Sequence, residues 1–264
     1  MKTINPSELS PMQVQMILQT AVSPRPIALA STIDKNGNVN LSPFSFFNLF
    51  SSNPPILIFS PARRVRDNST KDTLHNVLEV PEVVIGNVNF DIVQQVSLSS
   101  TEYETGVDEF IKSGLTKKPA ELVKPPLIAE SPVNFECKVI EVKPLGNEGG
   151  AGNLVICEVL KIHIREEFLN EEGNLDQKKL DLVSRLGGNW YGRTSAETLF
   201  EVPKPLVTKG IGFDQLPSEI RNSKIFTGND LGMLANVEQL PEGNFSADEN
   251  LHLEAQKLLL EGKI

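Results

Sequence analysis

Long apolar runs are missing from the sequence. No stretch of about 18 apolar residues, the length that spans a bilayer, occurs in the 264 residues. The first thirteen residues also lack the apolar segment of a secretory signal peptide. We therefore expect a cytoplasmic protein with no membrane partner, in which the glycosylation sequons at Asn40, Asn68 and Asn244 carry no weight.

Positive charge is also scarce. The chain has 25 lysine and arginine residues against 34 aspartate and glutamate residues, a formal net charge of −9. Because nucleic acids are bound through extended basic surfaces, this balance excludes a nucleic acid as the main partner. A local cluster of cations can still hold a small phosphate group.

Cysteine and histidine are too few for a metal centre. The chain has two cysteines, no CxxC pair and three scattered histidines, so we predict no metal site. Cys137 and Cys157 lie at matching positions about a glycine-rich turn, which suggests that they face each other across a hairpin. We interpret both as small buried hydrophobic residues.

The motifs of common nucleotide-binding and hydrolytic folds are absent. The sequence contains no GxGxxG fingerprint, P-loop, GxSxG or HExxH. The glycine-rich segment 146–152 fails the dinucleotide spacing, and a hairpin turn explains it better. Any bound nucleotide must therefore be held by another architecture.

Among the signals that are present, the clearest helix start is at Ser10. Serine is a good N-cap, Pro11 suits the first helical position, and Gln13 completes a capping box. The helix must end before Pro24 and Pro26, because proline lacks the amide that would continue it.

Short strands with interspersed helices dominate the chain as far as residue 200. Strands are predicted at 27–33, 38–44, 55–59, 82–88, 133–142 and 154–164, with short helices at 73–78, 90–98 and 108–112. This pattern predicts a mainly β fold, a β-barrel with helical insertions, over residues 1–200. Beyond residue 200 only 247–260 predicts a helix, so we interpret 201–264 as a C-terminal extension that packs on the barrel or on a second subunit.

A basic segment precedes the helix predicted at 73–78. Its nine residues from 63 to 71 contain four cations: Arg63, Arg64, Arg66 and Lys71. Arginine binds phosphate through two hydrogen bonds, and a helix N-terminus also attracts anions. Ser69, Thr70 and Thr73 add hydroxyl donors. The alternative is a solvated loop in which Ser69 or Thr70 simply caps the helix.

Residues 40–60 combine five of the thirteen phenylalanines with three prolines. Pro43, Pro54 and Pro55 interrupt strand hydrogen bonding and leave backbone groups free, which suits the edge of a planar heteroaromatic ring. The aromatic side chains then form walls around the ring, and the neighbouring serine and asparagine residues supply polar contacts. The alternative is a core strand with an irregular edge.

The segment 185–193, RLGGNWYGR, contains the only tryptophan of the chain together with two arginines and three glycines. Glycine permits close approach of the backbone, and the aromatic and cationic groups suit contact with a ring or a nucleotide. The alternative is a turn that Trp190 anchors in the core.

The order of these features resembles a known family. The matching motifs are SPRPIA at 23–28, NLSPFSFFN at 40–48, NPP at 53–55, RR at 63–64, KDT at 71–73, DEF at 108–110, GL at 114–115 and RLGG at 185–188. Together they resemble the flavin reductase-like proteins, which include flavoredoxins and the reductase components of two-component monooxygenases. The resemblance covers residues 10–195 and implies an FMN-binding split β-barrel with Greek-key-like topology.

The resemblance also implies a cofactor site. In that family the SPFSFFN strand lines the flavin ring, and the arginine and KDT elements hold the FMN phosphate. The implied cofactor-binding residues are Ser42, Pro43, Phe44, Ser45, Phe46, Asn48, Ser60, Arg63, Arg64, Lys71, Asp72 and Thr73. Arg25, Arg185 and Tyr191 are the candidates for contact with the substrate nicotinamide.

The implied function is an NAD(P)H-dependent flavin reductase in a homodimer, with FMN as cofactor and FAD possible as a substrate. A monooxygenase or another redox protein would be its partner, and no protein residue is required as a catalytic acid or base. One alternative is a flavoredoxin-type electron carrier with tightly bound FMN that a protein partner reduces. Another is a barrel retained for binding without turnover.

Overall fold

The structure is a computed structural model that describes residues 1–240 and 257–258. Internal contacts divide the chain into two compact units, Met1–Leu199 and Phe200–Ile264. The helix predicted at 247–260 falls almost entirely outside the described residues. Within them, no helix is long and apolar enough to cross a membrane.

The first unit contains all of the described strands. They are β1 (Ala28–Ile33), β2 (Val39–Phe44), β3 (Phe47–Ser52), β4 (Pro55–Phe59), β5 (Glu82–Asn87), β6 (Lys117–Lys118), β7 (Leu127–Ile128), β8 (Val133–Pro144), β9 (Asn153–Ile164), β10 (Val183–Arg185) and β11 (Tyr191–Arg193). Its α-helices are α1 (Pro11–Ala21), α2 (Asp72–Glu79), α3 (Val93–Leu98), α4 (Glu109–Ser113) and α5 (Gln177–Leu180).

Seven strands form one antiparallel sheet in the order β2-β1-β5-β8-β9-β4-β3. β2 and β3 therefore occupy opposite edges, although only Ser45 and Phe46 separate them in the chain. Three residue steps reach at most about 11 Å, so the two edges must meet at this point. The sheet is rolled into a barrel that is split along the seam between β2 and β3, which confirms the predicted fold class.

Both faces of the sheet are covered by apolar side chains. Leu29 belongs to one cluster, which includes Val96 of α3 and Phe110 of α4. Ala28 belongs to a second cluster, which includes Val77 of α2. Because successive side chains of a strand point to opposite faces, this division follows from the alternation along β1.

The helix boundaries set by local caps agree with the sequence. Ser10 and Gln13 form the predicted capping box at the start of α1. Gly114 ends α4 with φ +70°, a conformation that suits glycine. α2 begins at Asp72 with Lys71 as its N-cap, and neither Ser69 nor Thr70 caps it, because their hydroxyls bond Asp67 and His75 instead.

Two expectations about strands were wrong. The family resemblance implied a single SPFSFFN strand, but the segment is divided between β2 and β3 at opposite edges of the sheet. Cys137 pairs with Val159 and Cys157 with Val139, so the cysteines are not directly opposite; irregularities in the β8–β9 ladder shift the register. Both are free and buried as predicted, and burial raises the pKa of the Cys137 thiol to about 12.

The second unit contains α6 (Ser218–Arg221) and α7 (Gly228–Leu234). Leu216, Leu231 and Ala235 form a small buried cluster within it. The sequence did not predict α7, because Gly228 and the glycine at 232 lower its helix propensity. A capping box between Thr227 and Asp230 nevertheless starts the helix. Packing of residues 201–264 on the barrel or on a dimer partner stays a prediction.

Candidate functional site

A cavity of about 420 Å³ lies at the seam, between α1, the β2–β3 junction and the loop that follows β4. We call it the cationic cavity. Eight of the twelve residues implied as cofactor-binding line it: Pro43, Phe44, Ser45, Phe46, Ser60, Arg63, Arg64 and Lys71. The structure thus brings together residues from both edges of the sheet.

The β2–β3 junction forms one wall of this cavity. Pro43 lies on the edge strand β2, where its missing N–H leaves no gap in the ladder. Phe46 O accepts a hydrogen bond from Ser60 N at 2.8 Å. The backbone N–H and C=O of Ser45 have no protein partner among the described residues. The break between the strands therefore leaves one peptide donor and one acceptor beside the cavity.

Lys71 is a partly buried cation of the cavity. Its Nζ donates to Ser42 Oγ at 3.2 Å and lies 5.3 Å from the centroid of the Phe44 ring. Burial lowers the pKa of Lys71, and the charge of Arg64 lowers it further. No carboxylate of the described residues forms an ion pair with Lys71. An anion bound here would offset both effects.

Arg64 is held in place with part of its guanidinium still free. NH1 donates to Ser69 Oγ at 2.9 Å and to Thr70 O at 3.0 Å, while Nε donates to Glu102 Oε1 at 3.0 Å. NH2 has no partner among the described residues. Arg64 and Lys71 together therefore form the donor set of the cavity that best suits a phosphate.

The other two arginines of the loop are differently engaged. Nε and NH2 of Arg63 donate to Asn68, at 2.6 Å to its Oδ1 and 2.9 Å to its carbonyl oxygen. This pair fixes the loop. Arg66 is exposed and pairs with Asp67 and Glu102. Arg66 was not among the implied ligands, although it also lines the cavity.

Four implied cofactor-binding residues do not line the cavity. Thr73 is fully buried, and its hydroxyl accepts from Asn40 Nδ2 at 2.8 Å inside the fold. Asp72 accepts from the hydroxyl of Thr105 at 3.3 Å. Asn48 accepts from the N–H of the next residue along β3 at 2.8 Å. Ser42 also does not line the cavity, but reaches it through Lys71.

A second cavity, of about 510 Å³, lies on the other side of the same wall and shares Pro43 and Ser45 with the first. We call it the polar cavity. Its other polar lining comes from two elements, α3 with its C-terminal end and the β10–β11 hairpin: Gln94, Ser97, Ser100, Arg185, Asn189 and Tyr191. Two of the three implied substrate-contacting residues are therefore adjacent here.

The hairpin that carries Arg185 is pinned to α1. The Arg185 guanidinium lies 4.6 Å from the centroid of the Tyr191 ring, and its NH1 donates to Trp190 O at 3.0 Å. A Cβ on Gly187 would come within 2.3 Å of Thr20 Oγ1, so only glycine permits this approach. Trp190 is 76% exposed, and the alternative of a turn anchored by Trp190 in the core is therefore wrong.

Arg25, the third implied substrate-contacting residue, is buried beneath both cavities' shared wall. Its guanidinium donates to the carbonyl oxygens of Gln19, Val22 and Leu186, and its Nε lies 3.5 Å from Ser45 Oγ. Burial lowers the pKa of Arg25, with a further contribution from Arg185. The side chain joins α1, the hairpin and the β2–β3 junction, and lines neither cavity.

The sequence did not identify some residues that line the cationic cavity. Three of them lie on one face of α1: Met12, Gln15 and Gln19. Their helical spacing was a usable signal. Glu102 carried no local signal, because it is brought to the cationic cavity from the distant segment between α3 and α4. No group of three metal-ligating side chains occurs in the part of the chain that the structure describes.

The residues of the cationic cavity fit a flavin that carries a phosphate. Arg64 and Lys71 supply charged donors for the phosphate, whereas Phe44, Phe46 and Met12 supply apolar surface for a ring. The free peptide groups at Ser45 match the donors and acceptors on the edge of a flavin. The fit rests on this donor set and on the lowered pKa of Lys71.

Comparison with known proteins defines the class. Residues 21–181 match the model of the flavin reductase like domain, so the chain belongs to the flavin reductase-like family. A relative from Halalkalibacterium halodurans is 38% identical over 208 residues, which cover 78% of this chain and 98% of the relative.

Solved structures agree with this membership. Nitrilotriacetate monooxygenase component B from Bacillus cereus superposes with a TM-score of 0.69 at 27% identity, covering 77% of this chain and 98% of that one. The 2-nitrobenzoate 2-nitroreductase of Pseudomonas fluorescens gives 0.68 at 27% identity, covering 79% and 100%. A putative flavin reductase from Shewanella frigidimarina, described as having a split barrel domain, gives 0.63 at 23% identity, covering 75% and 95%, and shows the shared fold.

Proposed function

We propose that the protein is an NAD(P)H-dependent flavin reductase that binds FMN in the cationic cavity. The observation that carries this proposal is the proximity of Arg64 and Lys71 in an acidic protein, where Glu102 pairs with Arg64 and no carboxylate of the described residues pairs with Lys71. They lie beside an aromatic wall and unpaired peptide groups. A phosphate-bearing planar ligand satisfies all three features at once.

The roles of the chain's own residues follow from their positions. Arg64 and Lys71 would hold the phosphate, and Pro43 to Phe46 would orient the ring. Bound flavin would supply the hydride acceptor, with NAD(P)H as the donor and FAD as a possible alternative flavin. Arg25 would act as a positioning residue, because it fixes Ser45 against the two elements that line the cavities on either side.

The polar cavity is the proposed place of the nicotinamide nucleotide. It adjoins the cationic cavity at Pro43 and Ser45, so ligands in the two cavities would meet at this shared wall. Hydride transfer requires such contact between donor and acceptor. Hydroxyl and amide side chains together with Arg185 suit the amide and phosphate groups of a nicotinamide nucleotide.

We also propose a homodimer. The helix α1 buries none of its side chains in the described structure, and Met12 and Met16 are 61% and 64% exposed. On the edge strand β3, Leu49 and Phe50 are 59% and 63% exposed. Exposed apolar surface of this kind typically marks an interface. Light scattering of the eluted peak in gel filtration should give twice the chain mass; a monomer at micromolar concentration would contradict the proposal.

A second protein would use the reduced flavin. The similarity to component B of a monooxygenase supports a partner enzyme of that kind. The alternative is a carrier that keeps FMN and receives electrons from a redox protein.

Anaerobic titration of the FMN-loaded protein with NADH and with NADPH tests the proposed activity. Rapid loss of the visible flavin absorbance with either nucleotide is expected. If FMN binds but neither nucleotide bleaches it, the carrier function replaces the reductase function. If the protein takes up no flavin at all, both are wrong and only a binding role without turnover is left.

A further inference from the structure

Glu102 is, among the described residues, the one acidic side chain that lines the cationic cavity. Its Oε1 accepts from Arg64 Nε at 3.0 Å, and its Oε2 accepts from NH2 of Arg66. A single carboxylate therefore bridges two of the arginines at the cavity. Hydrogen bonds from Arg66 and Arg64 lower the pKa of Glu102, so it is ionised at neutral pH.

The contact of Glu102 with Arg64 uses the part of the guanidinium that a phosphate needs. An arginine binds phosphate most strongly through two adjacent N–H groups. NH1 of Arg64 is committed to Ser69 and Thr70, which leaves the edge formed by Nε and NH2. Glu102 occupies Nε on that edge. A phosphate can take both groups only after the carboxylate has moved.

Little opposes such a movement. The Glu102 side chain is 43% exposed, so water can solvate it once it leaves Arg64. Backbone hydrogen bonds around it are local, from Thr101 N to Leu98 O and from Tyr103 N to Thr101 O. Ion pairs at the protein surface are individually weak, whereas a doubly charged phosphate held by Arg64 and Lys71 is bound more strongly.

We propose that Glu102 is an internal competitor for the flavin phosphate. It neutralises Arg64 and Arg66 when the cavity holds no anion, and it is displaced when the phosphate binds. Because FMN must displace the carboxylate in order to bind, its affinity is lower than it would be in a cavity without Glu102. FMN therefore exchanges with the solution and behaves as a substrate. The inference rests on the proposed placement of the phosphate at Arg64 and Lys71, and it deepens the proposed function by making the flavin exchangeable.

Dissociation rates of FMN and riboflavin from Glu102→Gln test the proposal, because riboflavin lacks the phosphate. Stopped-flow displacement monitored by flavin fluorescence gives both rates. Removing the competing charge should slow FMN dissociation roughly threefold to tenfold, the range expected for two ion pairs at the protein surface. Riboflavin dissociation should not change.

Glu104→Gln is the matched control. Glu104 belongs to the same segment, is exposed, and does not line the cavity. This variant should release both flavins at the wild-type rate. An equal slowing in Glu104→Gln would show a general effect of surface charge and would overturn the proposal.

Two further outcomes separate this inference from the proposed function. If wild-type protein prefers FMN over riboflavin but Glu102→Gln releases FMN faster or at the same rate, Glu102 organises the arginines instead, and only the inference fails. If wild-type protein shows no preference for FMN, the phosphate does not lie at Arg64 and Lys71, and the placement and the inference both fail.

Discussion

The two cavities on either side of Pro43 and Ser45 are similar in size but differ in how they use charge. In the cationic cavity the charge of Arg64 lowers the pKa of Lys71, and Glu102 pairs with Arg64 but not with Lys71. In the polar cavity the Arg185 guanidinium lies over the Tyr191 ring and donates to a backbone carbonyl oxygen. The first arrangement suits the binding of an anion. The second suits a ligand that is recognised by neutral hydrogen bonds and one cationic contact and that then leaves.

The strongest way to break this contrast is to remove the charges of the cationic cavity. Arg64→Ala combined with Lys71→Ala should weaken FMN roughly 100-fold or more, because two charge-assisted hydrogen bonds are lost. Riboflavin should bind nearly as before. Calorimetric titration of both flavins measures the split, and Lys138→Ala, at an exposed position of β8, serves as control. Equal losses for the two flavins would contradict the phosphate placement.

Gly187→Ala should disturb the polar cavity more than the cationic cavity. The new Cβ would clash with the side chain of Thr20 and approach its Cα to 3.1 Å, which forces the hairpin away from α1. Overpacking of this kind costs about 1–3 kcal/mol of stability. A fall in Tm and a higher KM for NAD(P)H are expected, whereas Gly228→Ala, with open space around it, should lower neither stability nor activity. An unchanged Tm would show that the approach is not needed.

Arg185→Ala sharpens the distinction between the cavities. Loss of its guanidinium should raise KM for NAD(P)H about tenfold, the effect of one cationic contact, and leave the FMN affinity unchanged. Steady-state kinetics at saturating FMN give the first quantity, and equilibrium titration gives the second. A weakened FMN affinity with an unchanged KM for NAD(P)H would show that Arg185 contacts the flavin instead.

The smallest expected effect is a pH dependence. Burial and Arg64 lower the pKa of Lys71 below its ordinary value of 10.5, and the phosphate binds the charged form. FMN affinity should therefore fall several-fold relative to riboflavin affinity as pH rises through the lowered pKa of Lys71, because the lysine is charged only below that pKa. Lys71→Arg should abolish the dependence because arginine remains charged. A flat profile in wild-type protein would argue against Lys71 as a phosphate ligand.

Local signals predicted the elements whose causes are local. The start of α1 and the end of α4 depend on Ser10, Gln13 and Gly114, and the structure has them where the sequence placed them. The division of SPFSFFN between two edges of the sheet has no such signal. It depends on which strands become neighbours, and that is decided by β8 and β9 far along the chain.

The residues of the candidate site were predictable from the sequence only where a local pattern marked them. Arg64 and Lys71 were indicated by the basic segment and by family resemblance, and both line the cavity. Thr73 was implied as a ligand, but the phase of α2 directs its hydroxyl to Asn40 in the interior. Glu102 was missed because it lies 38 residues from Arg64 in the chain, and no sequence pattern links the two. Contacts between separate elements require the assembled fold.

The two-residue junction between β2 and β3 has a consequence for folding. Pro43 and Phe44 reach the cationic cavity from one edge of the sheet, whereas Ser60 and the loop after β4 reach it from the other. The cavity exists only when the intervening strands have joined and the seam has closed. A ligand bound there is linked to closure of the whole barrel, so flavin should raise the unfolding free energy of the entire first unit by mass action and not merely order a loop.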